Sequence, residues 1–229
     1  MVGGYTHPTQ MVKSLTLLLA IVLASCAEDS SAPPPPRPVP VHSVVAAAPA
    51  PAPRIVLDWE AGHPERAPWS AALLSDLNAH FSSFATARDA DQFHPQWNSL
   101  TQNQQVAVLA EMIVWTSYFE CGWDPADYSV DVGRQEDNRT WSVGLLQLSV
   151  VDQANYHLPL GYSFADLQDP IKNLNLGVAI MAKQIDRHGK ILIPVGESGT
   201  YWSTLHPGGK HDKSAEIEQR TRSISFPVR

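Results

Sequence analysis

Residues 116–124 read T-S-Y-F-E-C-G-W-D and place a glutamate and a cysteine in an otherwise apolar and aromatic stretch. The glycine and the Asp-Pro pair that follow disfavour helix, so a helix is predicted to end just after Glu120. Ile113, Thr116 and Glu120 are spaced three and four residues apart and share one helical face, at the margin of the apolar stripe. Glu120 is therefore expected to point toward the core or beside it.

This predicted position affects the acidity of Glu120. Partial desolvation disfavours the carboxylate, and so does the negative C-terminal end of the helix dipole. Both effects favour the protonated form, which is the form that a general acid needs to cleave a glycosidic bond. Most glutamates are surface residues, however, so this stretch alone favours a helix-end side chain that simply reaches solvent.

Helical patterns extend outward from this stretch in both directions, and the class predicted is mainly α. The helix that ends at Glu120 is expected to begin near Thr101, because Ser99-x-x-Gln102 and Thr101-x-x-Gln104 both fit a capping box. Period-two alternation is nearly absent. The other helices predicted are, in chain order, one after Pro68 that carries Trp69 to Phe84, one beginning around Gly144, one from Asp169-Pro170 to His188-Gly189, and one over about Ser214 to Ser223.

The composition excludes several classes of function. The chain has 229 residues and a formal net charge of −7, with 23 acidic residues against 16 Lys and Arg, so no basic field for nucleic acid is expected. The sequence contains no run of 18 apolar residues, so a transmembrane helix is not expected. None of the nine histidines falls in an H-E-x-x-H arrangement. We therefore expect neither a metal site nor a cofactor.

The N-terminal 26 residues have the pattern of a signal segment. Lys13 supplies a positive charge, and Leu15 to Leu23 form an apolar region too short to span a bilayer. Leu23-Ala24-Ser25-Cys26 resembles a bacterial lipobox, in which Cys26 would be lipidated and become the mature N-terminus. The alternatives are an ordinary signal peptide, or a true start at Met11 rather than Met1. We expect residues 1–26 to be this segment and the lipid on Cys26 to anchor the protein to a membrane.

A proline-rich tether is predicted over residues 27–53. Nine of the 19 prolines lie between residues 32 and 53, a composition that favours extended polyproline conformations. At about 3.1 Å per residue the segment spans at most roughly 80 Å. The folded domain is therefore expected over residues 54–229, held away from the membrane. If Cys26 carries lipid, the second cysteine, Cys121, has no partner within the chain.

Two further motifs follow Glu120 in the chain. The segment 142–147 reads S-V-G-L-L-Q, and the segment 169–173 reads D-P-I-K-N. In this order and helical context, the region from Thr101 to Lys190 resembles the lytic transglycosylase (SLT-type) family of the lysozyme-like superfamily, which also includes goose-type lysozymes. The resemblance implies a lysozyme-like helical domain. It also implies cleavage of the β-1,4 bond between MurNAc and GlcNAc in peptidoglycan.

The resemblance also implies roles for particular residues. Glu120 corresponds to the catalytic acid, and Ser142, Gly144, Gln147 and Tyr201 to substrate-binding positions. A glycine lets backbone approach a ligand closely, and a glutamine side chain suits an acetamido or hydroxyl group, although Gln147 bonded to backbone at a buried junction is the alternative. Tyr201 has only a distant counterpart in the family, so it is either a ligand to sugar or acid, or a half-buried core tyrosine.

The sequence departs from the family beside the acid, where Glu-Ser is replaced by Glu120-Cys121. A cysteine nucleophile needs a base within hydrogen-bond reach, and His157, His188 and His206 do not lie in a recognisable motif. A helix C-terminus also does not lower a thiol pKa. Cys121 is therefore expected to be a small, buried residue with no covalent role.

Several functions remain open at this stage. A lytic transglycosylase with Glu120 as sole acid/base is preferred to a hydrolytic lysozyme, in which Asp127, Asp131, Glu136 or Asp137 would position water. The acidic balance of the domain also suits de-N-acetylated peptidoglycan. Alternatives from another class are a non-catalytic glycan-binding lipoprotein and a scaffold for protein contacts. The expected location is the cell envelope, with Ala27 favouring the outer membrane, facing the periplasm, in a Gram-negative host.

Overall fold

The computed structural model describes residues 54–130 and 137–226. The predicted signal segment 1–26, its lipidation site Cys26 and the tether 27–53 lie outside the described residues, as do Asp131 and Glu136. No helix in the two described ranges is both long and apolar enough to cross a membrane.

Helices form most of the regular structure, as the sequence predicts. The α-helices of the described residues are α1 (Ala67–Ala79), α2 (Phe81–Phe84), α3 (Gln102–Cys121), α4 (Asp152–Asn155), α5 (Phe164–Leu167), α6 (Pro170–His188) and α7 (Ser214–Arg222). Short 3-10 turns cover Asp58–Glu60, Pro64–Arg66, Ala90–Gln92, Trp97–Ser99, Asn138–Thr140 and Ser203–Leu205. The predicted helices from Thr101, from Asp169 and at Ser214 are thereby confirmed, and the mainly α class with them. The helix predicted to carry Trp69 to Phe84 is instead divided at His80 into α1 and α2, because His80 leaves the helical conformation.

The central element is α3, whose N-terminus is capped as predicted. The Gln104 N–H donates to Thr101 Oγ1 at 3.4 Å, and Gln104 Oε1 accepts from the Thr101 N–H at 2.8 Å. This box begins the helix, so the alternative at Ser99 is not the one used. All residues from Val106 to Ser117 are buried, which is the pattern of a core helix surrounded by others. Gly122, with φ of 65°, ends the helix in the left-handed region.

The second long helix, α6, is defined at both ends by local sequence. Asp169 Oδ1 accepts hydrogen bonds from the N–H groups of Ile171 and Lys172 at 2.9 and 3.3 Å. Pro170 occupies the first helical position, and Gly189 ends the helix with φ of 68°. The apolar faces of α1, α3 and α6 meet in the core, since α1 packs against both long helices.

The helix predicted around Gly144 is wrong. Residues 144–147 form turns, and the next helix, α4, begins only at Asp152. Gly144 and Gln147 have φ of 73° and 48°, in the left-handed region that interrupts a right-handed helix. Val143 and Leu148 exchange two backbone hydrogen bonds of 2.9 Å, which close this segment into a loop. The segment 143–148 is called the clamped loop below.

A two-stranded hairpin, which the sequence did not predict, leads into the clamped loop. β1 (Tyr128–Ser129) pairs antiparallel with β2 (Ser142–Val143), with Ser129 opposite Ser142. The Tyr128 ring stacks on the Trp141 ring at 5.5 Å, and Phe164 contacts both rings edge-on. Strands of two residues are too short to produce a visible alternation in the sequence.

Candidate active site

Glu120 lies in the last turn of α3 and is half-buried. The Thr204 hydroxyl donates a hydrogen bond of 2.7 Å to Glu120 Oε1. Burial raises the pKa of the Glu120 carboxyl above its usual value, and the hydrogen bond from Thr204 offsets part of this rise. The side chain is thus a partly desolvated carboxyl that is held in one orientation, as a general acid requires.

Two open clefts meet at Glu120. Their volumes are about 400 and 420 Å³, and they share Glu120 and Ser203 in their walls. The first, here called the turn-side cleft, is lined by Phe119, Glu120, Ser203, Thr204, Lys210, His211, Asp212 and Lys213. The second, here called the hairpin-side cleft, is lined by Glu120, Asp127, Tyr128, Ser129, Ser142, Gln147, Tyr201, Trp202 and Ser203. A polymer that passed through both clefts would present one of its internal bonds to Glu120.

The clamped loop forms part of the hairpin-side wall and is held from two directions. Asn173 of α6 is fully buried; its amide nitrogen donates to the carbonyls of Val143 and Leu167 at 2.8 and 2.9 Å. Its amide oxygen accepts from the Leu146 N–H at 2.9 Å. From the other side, Trp202 Nε1 donates to the Leu146 carbonyl at 2.9 Å. The D-P-I-K-N motif therefore starts α6 and also fixes the loop made by the S-V-G-L-L-Q motif.

The structure explains the glycine at position 144 differently from the sequence prediction. A Cβ at this position would lie 2.4 Å from the Leu167 carbonyl oxygen and 2.6 Å from Asn173 Nδ2, and the residue is buried. Glycine is thus required because the backbone at position 144 packs closely against Leu167 and Asn173. The contact with a ligand that the sequence predicts stays a prediction. Gly177 plays a similar part on α6, because a Cβ there would lie 2.2 Å from Leu146 Cδ1.

Gln147 and Ser142 both line the hairpin-side cleft, where the sequence predicted substrate-binding residues. The Gln147 side chain is largely engaged by backbone: its Nε2 donates to the carbonyls of Gly144 and Asp127 at 3.0 and 3.4 Å. Its Oε1 remains as the atom that could accept a hydrogen bond from a ligand. Ser142 is half-exposed on β2, opposite Ser129, so two hydroxyl groups lie side by side along this wall.

Tyr201 also lines the hairpin-side cleft, but its hydroxyl bonds to Asp152 and not to Glu120. The hydroxyl donates to Asp152 Oδ2, which also accepts from the Ser149 N–H and hydroxyl at 2.9 and 2.6 Å. Burial and the neighbouring Asp152 carboxylate hold the Tyr201 pKa well above its usual value. The hydroxyl is therefore a neutral donor within a hydrogen-bonded network, and its ring packs against Tyr156 and Trp202.

Cys121 is half-buried and packs against the hydrophobic core. Its Sγ donates weakly to the carbonyls of Ser117 and Leu145 at 3.3 and 3.5 Å. Burial raises the pKa of the thiol to about 12, so a thiolate is disfavoured at neutral pH. Within residues 54–130 and 137–226, no group of three or more His, Cys, Asp and Glu side chains could hold a metal ion.

Two parts of the site were not predicted from the sequence. Thr204 is the hydrogen-bond partner of Glu120, yet the stretch 200–204 was considered only for its tyrosine. The turn 210–213, three of whose side chains are basic, was not predicted to line the site. Asp127 was one of four acids proposed to position water, and of these it lines the same cleft as Glu120. The other described member, Asp137, instead caps a 3-10 turn through the Arg139 N–H.

The helical core, with a half-buried glutamate where two clefts meet, is that of a lysozyme-like domain. Residues 98–203 match the family model of the transglycosylase SLT domain, so this part of the chain is an SLT domain. The match includes Glu120, the clamped loop and the D-P-I-K-N motif, and the resemblance stated from the sequence is thereby confirmed. SLT domains are peptidoglycan-cleaving glycosidases, which implies peptidoglycan as the substrate.

Solved structures of DslA, a lysozyme-like enzyme of Bdellovibrio, share this fold. The wild-type DslA structure is 24% identical to this chain with a TM-score of 0.63. Two glutamate-to-glutamine mutants of DslA are 26% and 23% identical, with TM-scores of 0.65 and 0.62. Each match covers 76% of this chain and 98% of the DslA chain. A search of curated proteins found no match.

Proposed function

We propose that the protein cleaves the β-1,4 bond between MurNAc and GlcNAc as a lytic transglycosylase, with Glu120 as the sole acid/base. The observation that supports this most is the Glu120 carboxyl itself, which is partly desolvated, oriented by Thr204 and bordered by a cleft on either side. A carboxyl in this setting keeps its proton to a higher pH than an exposed glutamate does, which suits a general acid.

The reaction uses the same carboxyl twice. Glu120 first donates its proton to the glycosidic oxygen, the bond from that oxygen to the anomeric carbon breaks, and the leaving sugar departs as a neutral alcohol. The Glu120 carboxylate then accepts the proton of the MurNAc 6-hydroxyl. The 6-oxygen bonds to the anomeric carbon and closes a 1,6-anhydro ring. Glu120 ends the cycle protonated, and no water is consumed.

The other acids that line the two clefts bear on the choice between this single-acid chemistry and hydrolysis. Of the other acids that line the two clefts among the described residues, Asp212 accepts hydrogen bonds from Gly208 and Ser214 in its own turn. Among the described residues that line the hairpin-side cleft, only Asp127 presents an exposed carboxylate besides Glu120. Hydrolysis is the second candidate because Asp127 could orient a water molecule there. In that case the same carboxylate would also attract the amino group of a de-N-acetylated sugar.

Mass spectrometry of digested peptidoglycan tests this proposal. The transglycosylase produces 1,6-anhydro muropeptides, which are lighter by one water than the reducing-end products of a hydrolase. We expect anhydro products from both the parent and the Asp127→Asn protein. Reducing-end products that disappear in Asp127→Asn would establish the hydrolytic alternative. Glycan binding with no release of products of either kind would leave the non-catalytic lipoprotein as the function.

We also propose that Cys26 is lipidated and that residues 27–53 tether the domain to the envelope membrane. The support is the Leu23-Ala24-Ser25-Cys26 sequence and the proline content of the segment that follows. Ala27 favours the outer membrane as the location in a Gram-negative host. Mass spectrometry of the mature N-terminal peptide should show an acylated Cys26. An unmodified N-terminus there would exclude the lipid anchor and leave a secreted, envelope-associated protein.

A further inference from the structure

The two clefts that meet at Glu120 carry opposite kinds of charged side chain. The hairpin-side cleft contains the Asp127 carboxylate, and none of its described lining residues is a lysine, an arginine or a histidine. The turn-side cleft is lined by Lys210, His211 and Lys213. In a chain with a formal net charge of −7, the sign of the charge is locally reversed on this wall.

The basic side chains stand on a turn that hydrogen bonds hold in place. Asp212 accepts from the Gly208 N–H at 2.9 Å, and from the N–H and hydroxyl of Ser214 at 2.8 and 2.7 Å. The Asp212 carboxylate is therefore occupied by its own turn. The Lys213 N–H donates to the Thr204 carbonyl at 2.9 Å, which ties the turn to the residue that orients the catalytic acid.

Lys210 is the lysine of this wall that has no acidic partner among the described residues. Lys213 Nζ lies 2.9 Å from Glu216 Oε1 and 5.5 Å from the centre of the Phe119 ring, so its charge is already partly compensated. Lys210 is exposed and lines the cleft. Its ammonium group is available to an anion bound next to Glu120.

We infer that the turn-side cleft binds a carboxylate-bearing substituent of the glycan, with Lys210 as its principal ion-pair partner. This inference rests on the proposed function, since it takes a peptidoglycan strand as the occupant of both clefts. Muramyl residues carry a lactyl ether that ends either in a free carboxylate or in a peptide stem with carboxylates of its own. Either anion would be attracted to this wall, whereas the amino group of a de-N-acetylated sugar would be repelled.

Binding measurements in the Glu120→Gln protein, which should not consume its ligand, test the inference separately from turnover. The ligands are glycan strands with peptide stems, strands from which an amidase has removed the stems, and neutral chitooligosaccharide. Lys210→Gln should weaken binding of stem-bearing strands roughly threefold, and Lys210→Glu roughly tenfold, as expected for an exposed ion pair. The preference for anionic over neutral glycan should fall by the same factors, and raising the salt concentration should reduce it in the parent.

Lys183→Gln is the matched control, because Lys183 is an exposed lysine of α6 that lines a different cavity. Its affinities should stay within about twofold of the parent. If the effect of Lys210 persists on strands without stems, the lactyl carboxylate is the ligand; if it is lost, the stem is. If the parent protein turns over peptidoglycan but Lys210→Glu leaves the binding of stem-bearing strands unchanged, this inference alone is overturned. Failure to bind any glycan would overturn it together with the proposed function.

Discussion

At the scale of single residues, the acidity of Glu120 is set by opposing contacts. Burial disfavours its charged form, and the hydroxyl of Thr204 favours that form by donating to Oε1 at 2.7 Å. Burial has the larger effect, so the pKa of the carboxyl is raised. A general acid is active while it is protonated, and its activity is lost as the pH rises through its pKa.

Replacing Thr204 with valine should move the pH profile in a defined direction. The change removes the donor that stabilises the Glu120 carboxylate, so the pKa of Glu120 rises further and the alkaline limb of kcat/KM shifts to higher pH. The rate at the optimum should fall roughly threefold to tenfold, because the carboxyl loses an orienting partner. Thr204→Ser keeps the hydroxyl and should retain the parental profile. An alkaline limb that moved to lower pH would contradict this account of the acid.

Replacing Cys121 with serine should preserve most of the activity. The thiol makes only weak hydrogen bonds to the carbonyls of Ser117 and Leu145, and a serine hydroxyl can donate to the same atoms. With a pKa of about 12, the thiol should also react slowly with alkylating agents in the folded protein. Activity assays and timed alkylation followed by mass spectrometry check both points. A rate loss in Cys121→Ser as large as that in Glu120→Gln, with the fold intact by circular dichroism, would indicate a nucleophilic thiol.

At the scale of elements, the sequence predicts what local interactions define. The ends of α3 and α6 follow from the box at Thr101, the Asp169-Pro170 start and the glycines at 122 and 189, all of which act within one turn of their own helix. The clamped loop is different. Its conformation depends on Asn173, which bonds to it from 27 and 30 residues further along the chain. Apolar periodicity therefore predicted a helix where a tertiary contact produces a loop.

Replacing Asn173 with alanine should loosen the clamped loop. The change leaves the Leu146 N–H and the carbonyls of Val143 and Leu167 without their buried partner, which should lower the free energy of unfolding by about 2–4 kcal/mol. Urea denaturation measures this loss. Because the loop forms one wall of the hairpin-side cleft, KM should rise as well. Asn78→Ala, at an exposed position of α1, is the control and should change neither value appreciably.

At the scale of the whole molecule, α3 carries a second buried carboxyl that lines neither cleft. Glu111 is 8% exposed, and its Oε1 accepts from the Asp58 N–H at 3.1 Å, whereas its Oε2 has no hydrogen-bond partner among the described residues. Burial, together with the nearby Asp58 carboxylate, raises the pKa of Glu111 to about 8. Between pH 4.5 and 8 the folded protein therefore keeps a proton that the unfolded chain releases, so the stability contributed by this residue falls as the pH rises.

Glu111→Gln should consequently stabilise the protein in a pH-dependent way. The amide resembles the protonated carboxyl in shape and has no proton to lose at alkaline pH. We expect the free energy of unfolding of the variant to exceed that of the parent by about 1–3 kcal/mol at pH 8. The difference should shrink toward pH 5. Denaturant midpoints at pH 5, 6.5 and 8 measure it. A difference that stays constant across this range would show that Glu111 does not titrate as described.

The site as a whole could be predicted from the sequence only in part. Glu120 and the two motifs after it have a recognisable order along the chain, and the SLT domain match includes them all. Thr204 and Lys210 carry no such signal, because they come to Glu120 through the packing of the segment 203–213 against the end of α3. Which residues form the second wall of a cleft is a property of tertiary structure.

The most direct test of the account is the rate of muropeptide release by Glu120→Gln. The amide oxygen can still accept the hydrogen bond from Thr204, so the fold and glycan binding should be retained while the transferable proton is lost. We predict a fall in rate of roughly 10²–10⁴-fold against purified peptidoglycan, with Glu65→Gln, at an exposed position, close to the parent. Release of muropeptides by Glu120→Gln at near the parental rate would contradict the central claim that Glu120 is the catalytic acid.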